Sequence, residues 1–241
     1  MTKLVGILRL IASWTFTIAY VTCVIVITLA SLGWFTRRHG CSVIRSWGRA
    51  MLRILGITLR VDNIELLDGP GPKVVTFNHS SQLDGYVTLA MLPDNGTIVV
   101  KREFLYYPFI GQMIPLLGIC AIDRTSHERA EASLCELTER LTRKRMTVLI
   151  APEGTRSRTD EMRQFKLGAF HLALKSRAPI LPMVIIGARI LMPRGALVPA
   201  PGVIRVRLLE PIDWKIFHRD ASAFAQRVRS AYMSELERQD K

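Results

Sequence analysis

The four cysteines, Cys23, Cys41, Cys120 and Cys135, form no C-x-x-C unit, so the usual zinc and dithiol redox signatures are missing. Cys23 lies in an apolar run and Cys120 in a predicted strand. All four are read as reduced small hydrophobes in a cytosol-facing protein. Internal repeats and low-complexity segments are absent as well. So is the G-x-S-x-G elbow that would mark a serine hydrolase. Acid is scarce: 20 Asp and Glu stand against 33 Lys and Arg among 241 residues, a formal net charge of +13. Such an excess suits nucleic acid, an anionic membrane or a phosphorylated substrate. No Lys/Arg-rich tail is present, and 49% of the residues are hydrophobic. This turns the reading away from nucleic acid and toward membrane and phosphate.

A second absence is local. From Leu10 to Phe35 no residue is charged, a run long enough for a bilayer core, which needs about 20 apolar residues. Lys3 and Arg9 precede it, and Arg37, Arg38, Arg45, Arg49 and Arg53 follow it. The positive excess on the C-terminal side predicts that the rest of the chain faces the cytoplasm, as at a bacterial inner membrane. Three arrangements fit: a single crossing, a signal peptide, or two helices dipping into one leaflet. The run is long for a signal peptide and no clear A-x-A site ends it. Between Cys41 and Leu59, Val43, Trp47, Met51, Leu52 and Leu55 recur at helical spacing beside Arg45, Arg49 and Arg53. This is a basic amphipathic helix, suited to a headgroup layer or to packing on the following domain. Residues 1–59 are therefore a membrane-embedded helix or hairpin plus a basic helix, and residues 60–241 one further domain.

After residue 56 the pattern alternates. Ile57–Val61, Val74–Phe77, Thr97–Lys101, Ile119–Ile122, Thr147–Ala151, Ile180–Ile186 and Val203–Leu209 read as strands. His127–Arg145, Leu167–Lys175 and Ala221–Gln239 read as helices. The expected fold is α/β: a central mixed sheet flanked by helices, with an N-terminal hydrophobic helical membrane segment.

Polar groups gather where strands end. His79 and Asp84 follow the apolar run Val74–Phe77 in Asn78-His79-Ser80-Ser81-Gln82-Leu83-Asp84. A histidine and an aspartate at this spacing can supply a general base and the carboxylate that orients it, or a plain structural contact. In a regular helix five residues turn through about 500°, so the two converge only if His79 lies in the turn before the helix. Glu153-Gly154-Thr155-Arg156 follows the strand Thr147–Ala151. Gly154 permits close backbone approach, and Arg156 offers a fork for phosphate or carboxylate. Arg158, Arg163 and Lys166 add positive charge; the plainer reading is a polar turn with solvated charges. Asp123-Arg124 ends a third strand, either as a phosphate ligand at Arg124 or as a salt bridge within the pair. Ala178–Pro182 opens a later strand, with its prolines shaping a loop beside the site. If the strands are parallel, their ends share one sheet edge and these groups meet.

The order of four blocks, His79–Asp84, Gly118–Arg124, Glu153–Arg156 and Pro179–Pro182, resembles the 1-acylglycerol-3-phosphate acyltransferases of the glycerolipid acyltransferase superfamily. Lys101-Arg102-Glu103, Pro108-Phe109-Ile110-Gly111 and Phe165–Phe170 look like family sequence too, and the likeness covers roughly residues 60–212. It implies transfer of an acyl group from a thioester, acyl-CoA or acyl carrier protein, to the free hydroxyl of a lysophospholipid. His79 would be the general base and Asp84 its orienting partner. Glu153, Gly154, Thr155 and Arg156 would bind the acceptor's glycerol phosphate, assisted by Arg124 and Lys101. An oxyanion donor is expected in the backbone near His79 or Gly154. The implied chemistry uses no cofactor and no metal. The chain departs from the family pattern at Ala151, Cys120 and Ala121, which bear on acyl-chain and acceptor fit. The rival readings are an acyltransferase for another lysolipid, such as a lyso-aminolipid, a hydrolase using Ser80 or Ser81, and a membrane-surface adaptor.

Overall fold

A computed structural model describes residues 2–69, 71–157 and 162–239. Its elements are α1 (Thr2–Ala30), α2 (Trp34–Ile54), β1 (Ile57–Asp62), α3 (Glu65–Asp68), β2 (Lys73–Phe77), α4 (Leu83–Ala90), β3 (Gly96–Lys101) and α5 (Ile110–Leu116). They continue with β4 (Cys120–Ile122), α6 (His127–Lys144), β5 (Thr147–Ile150), α7 (Gly168–Ser176), β6 (Ile180–Ile186), α8 (Ala188–Leu191), β7 (Gly202–Leu208) and α9 (Ala221–Gln239).

All seven expected strands form one sheet in the order β1-β7-β6-β2-β5-β3-β4. The stretch β6-β2-β5-β3-β4 is parallel throughout. β7 runs antiparallel to β6, and β1 runs parallel to β7, so the sheet is mixed. Burial explains the legibility of the central strands. Every residue of β2 and β5 is buried, as expected of parallel strands covered on both faces.

Alternate side chains feed two cores. Val75, Phe77, Leu149, Leu181, Met183 and Ile185 face a layer that contains α2, α4 and α8. Val74, Val148, Ile150, Ile180 and Val184 face α6, α7 and α9. Ser126 caps α6 by accepting the Arg129 N–H at 3.2 Å.

The uncharged N-terminal run is broken. α1 ends at Ala30, and a turn over 31–33 places Trp34 and Phe35 at the start of α2. α1 then lies back along α2. Thr17 Oγ1 reaches Met51 Sδ at 3.5 Å, and the Tyr20 hydroxyl donates to the Val43 carbonyl at 3.0 Å. The buried stripe of α1 is Ser13, Thr17, Val21, Val24 and Thr28, while Leu4, Ile7, Leu8, Ile11, Trp14 and Ile18 are exposed.

α2 is built into the α/β unit. Val43, Ile44, Met51 and Leu52 are buried. This is the packed alternative, with two arginines reaching carbonyls at and just beyond the end of α4. Arg45 donates to the Leu92 carbonyl at 2.8 Å and Arg49 to the Ala90 carbonyl at 3.3 Å. The final carbonyls of a helix have no partners within it and carry partial negative charge, so they attract cations.

Candidate active site

β2 delivers the first group. After Phe77 the chain is pinned by Asn78, whose amide donates to the Ile185 carbonyl at 2.9 Å and accepts the Ile185 N–H at 2.7 Å. Helix α4 does not start until Leu83, so His79 lies in the preceding turn, as convergence with Asp84 requires. His79 Nδ1 and Asp84 Oδ2 are 3.1 Å apart. The same oxygen accepts the N–H groups of Ser80 and Ser81, each at 2.7 Å. Both of those can only donate, so Oδ2 is an acceptor and His79 Nδ1 carries the hydrogen. The lone pair is thereby left on Nε2. The Asp84 side chain is 0% exposed and that of His79 25%, so the carboxylate is hidden and the ring opens to the cleft.

β5 delivers the second group. Glu153 faces inward: Oε1 accepts the His79 N–H at 2.8 Å and Oε2 the Arg163 N–H at 3.1 Å. Burial raises its carboxyl above the ordinary value, and these two N–H groups oppose that only in part. Its oxygens hold backbone rather than facing the cleft. Gly154 adopts φ 72°, and a Cβ there would press on Lys166 at 3.0 Å and on Arg124 at 3.3 Å.

β4 and β3 supply the remainder. Arg124 turns to β5's exit loop and donates to the Gly154 carbonyl at 2.6 Å. Burial lowers its guanidinium from the ordinary value. Asp123 pairs elsewhere, with Arg102 at 2.6 Å and Arg129 at 3.6 Å, and it accepts the Thr125 hydroxyl at 2.6 Å. Chiefly through Thr125, and then Arg102, its carboxyl is held down to about 2. A depressed carboxyl stabilises the fold above its unfolded value of 3.8 and loses that contribution as pH falls toward 2. Asp123→Asn is therefore expected to lower Tm at neutral pH, with the gap to wild type closing as pH drops through that window. A constant gap would contradict the linkage. Lys101 is exposed at the end of β3, on the same sheet edge.

A small pocket of about 120 Å³ opens at the turn that follows His79, lined by Ser80, Gln82, Thr155, Arg156, Arg163 and Arg194 among others. Arg156 is exposed at its margin. Arg158 lies outside the described residues. Arg194 arrives from the β6–β7 loop, and nothing in its local sequence announces it. Asn78 had a local signal: it is the first amide after a fully buried strand.

Other expectations are corrected. Pro179–Pro182 does not border the site. Pro179 precedes Ile180, which pairs with Val74 at the beginning of β2, so the block starts β6 at the opposite sheet edge. A strand parallel to its neighbours begins where they begin, far from their exits. Several of the backbone N–H groups near His79 and Gly154 are engaged within the protein. His79 N–H goes to Glu153, those of Ser80 and Ser81 to Asp84, Gly154 N–H to Ala151, and Ser157 N–H to the His79 carbonyl. Ser81 Oγ donates to the Met192 carbonyl at 2.9 Å and accepts the Leu83 N–H at 3.3 Å. Among the described residues no group of three His, Cys, Asp or Glu side chains could hold a metal ion.

The family model described as Acyltransferase matches residues 58–186. A 1-acyl-sn-glycerol-3-phosphate acyltransferase of Saccharomyces cerevisiae is 32% identical over 195 residues, 80% of this chain and 64% of that protein. The beta form from Homo sapiens is 32% identical over 167 residues, covering 67% and 60% of the two chains. One from Cocos nucifera is 29% identical over 192 residues, covering 78% and 61%. The chain thus spans about three fifths of the length of these relatives. The crystal structure of the 1-acyl-sn-glycerophosphate acyltransferase PlsC from Thermotoga maritima shares the fold. Its TM-score is 0.73 at 23% identity, over 96% of this chain and 98% of that one.

Proposed function

Because the chain belongs to the acyltransferase family, we propose that it moves a fatty acyl group from an acyl thioester to the free sn-2 hydroxyl of 1-acylglycerol-3-phosphate, giving phosphatidic acid. The observation that carries this reading is the His79–Asp84 pair together with a pocket rimmed by Arg156, Arg163 and Arg194. The turn that follows the base lines this cationic recess, which suits a hydroxyl and a phosphate on one small molecule.

In the proposed step, His79 Nε2 takes the acceptor's hydroxyl proton as the oxygen attacks the thioester carbonyl. The tetrahedral intermediate collapses with loss of the thiolate, which recovers the proton from the imidazolium. Asp84 stabilises the imidazolium and holds the ring. No acyl-enzyme forms, and the placement of Ser81 supports that choice over a hydrolase. Arg156 binds the acceptor phosphate, with Thr155 in the same pocket and Lys101 assisting from the same sheet edge. Glu153 and Arg124 act as positioning residues: one fixes the backbone at His79, the other the Gly154 carbonyl.

The lipid substrate is met at a membrane. The helix Leu4–Ala30 is long and apolar enough to cross a bilayer, with a mean hydropathy of 2.1. Its return along α2, itself packed into the domain, favours a hairpin that enters the bilayer from the domain's own side. The catalytic unit then faces the cytoplasm.

Purified chain in mixed micelles tests the reading, with lysophosphatidic acid against a phosphate-free lyso-aminolipid, and acyl-CoA against acyl carrier protein thioester. Preference for the phosphate-free acceptor would replace this reading with the other lysolipid. Arg156→Ala is expected to raise the KM for lysophosphatidic acid about ten- to hundredfold, as loss of a charge-assisted hydrogen bond predicts, with kcat little changed. An unchanged KM would remove Arg156 from the phosphate site.

A further inference from the structure

Apolar side chains stand open on both sides of the site. β6, β2, β5 and β3 are parallel neighbours in that order, so the loops leaving β6 and β3 emerge on the same sheet edge as His79 and flank it. The loop after β6 presents Ile190 at 84% exposure and Leu197 at 82%. The loop after β3 is a 3₁₀ turn over Arg102–Tyr106 and a short link to α5. It exposes Phe104, Tyr106, Tyr107 and Phe109, with Tyr106 at 77%.

We propose that the aromatic loop Phe104–Phe109 is a second membrane contact, seated at the headgroup–acyl boundary of an anionic bilayer, and that it holds the His79 edge against the leaflet. This rests on the reading that α1 is seated in the membrane.

The loop is held in place. Phe104 and Tyr107 lean on one another with ring centroids 5.3 Å apart. A side chain at Gly111 would run into the Leu105 carbonyl, so the turn sits directly on α5. Phe109 takes φ 63° and ψ −43°, and the Ile110 N–H donates to the Pro108 carbonyl at 2.7 Å. This is a γ-turn of the strained hand. The Phe109 side chain that it directs outward stays exposed, so packing within the chain does not offset the strain.

Continuity makes a bilayer the occupant rather than another protein. α5 packs through Met113 against Val21 and Val24 of α1 and Val43 of α2. The loop is thus joined through α5 to the hairpin that exposes Leu4, Ile7, Ile11, Trp14 and Ile18. Composition agrees: tyrosine is favoured at a membrane interface and phenylalanine on the face turned to lipid, and the net charge of +13 suits an anionic surface.

The test uses the full chain with an environment-sensitive nitrobenzoxadiazole label. Cys135→Ser leaves the exposed Cys23 on α1 as reporter of the hairpin. Tyr106→Cys in a Cys23→Ser, Cys135→Ser background reports the loop. Cys41 and Cys120 remain, their thiols pushed up by burial. On adding phosphatidylcholine–phosphatidylglycerol vesicles, iodide quenching at position 106 is expected to fall about threefold or more, with lipids brominated near the headgroup quenching best. A control label at Lys175→Cys, on α7 across the sheet, stays open to iodide. If the Cys23 label is in lipid while position 106 stays aqueous, the loop proposal is overturned and the anchor stands. If position 106 is protected and Cys23 is aqueous, the anchor fails and the loop is the contact. If both are aqueous, both fail. Unlabelled Tyr106→Ser/Tyr107→Ser should raise the KM for acceptor in vesicles about threefold, with the KM for a dissolved short-chain acceptor unchanged. An equal rise in both formats would overturn the membrane role.

Discussion

Under the proposed mechanism, replacing His79 by alanine is expected to cut the proposed acyl transfer about 10²–10⁴-fold, the usual contribution of a positioned general base, while the chain stays folded. The ring's Nδ1 is 3.1 Å from Asp84 Oδ2, which leaves Nε2 as the nitrogen able to take a proton. The fold should survive because the structural bonds at this position are made by the main chain. The His79 N–H donates to Glu153 at 2.8 Å, and its carbonyl accepts the Ser157 N–H at 2.9 Å. Both persist in alanine. The measurement is thiol release from the acyl thioester by wild type and variant in matched membranes, with Tm recorded on the same preparations. Activity within about tenfold of wild type would remove the general-base role.

Asp84→Asn should produce a loss of similar size by a different physical route. Two main-chain N–H groups at 2.7 Å demand an acceptor at the Oδ2 position, so the amide oxygen of asparagine settles there. His79 Nδ1–H then keeps its acceptor, and the tautomer is preserved. What disappears is the negative charge that, in the proposed step, stabilises the imidazolium, at about 10²–10⁴ in kcat. The amide NH₂ is forced to the Oδ1 position, a buried atom with no hydrogen-bond partner. An unmatched buried donor lowers stability by about 1–3 kcal/mol. The expected signature is therefore a large fall in kcat, little change in acceptor KM and a modest fall in Tm. A variant with full kcat would show that the carboxylate charge is not used. A variant that fails to fold would show that Oδ1 tolerates no donor, and Asp84→Glu then tests the charge alone.

Much of the fold was readable because central parallel strands are covered on both faces and appear as short, nearly unbroken apolar runs. Val74–Phe77 and Thr147–Ile150 are such runs, and the structure buries every residue in them. The approach of His79 to Asp84 was also readable, since it depends on one local turn. The partners of the other charged residues were not. Asp123 and Arg124 are adjacent in sequence but separate in space, one turning to Arg102 and the other to the Gly154 carbonyl. Glu153 reads as a ligand in a polar turn, yet it faces the His79 main chain because β5 lies directly beside β2. The basic helix read between Cys41 and Leu59 fits either a headgroup layer or a packed face until α4 is placed beneath it, where Arg45 and Arg49 meet carbonyls at and just beyond the end of α4.

The sequence by itself determined the strands, the approach of His79 to Asp84, the positive charge and the apolar N-terminal segment. Each of these follows from composition or from contacts a few residues long. Strand order and direction were decided only by the tertiary structure. They bring the exits of β2, β5, β3 and β4 to one edge and send Pro179–Pro182 to the other. They turn Glu153 inward and bring the aromatic loop to the same sheet edge as His79. Those placements depend on which strands become neighbours, and neighbours are chosen by burial over the whole sheet rather than by any local stretch of chain.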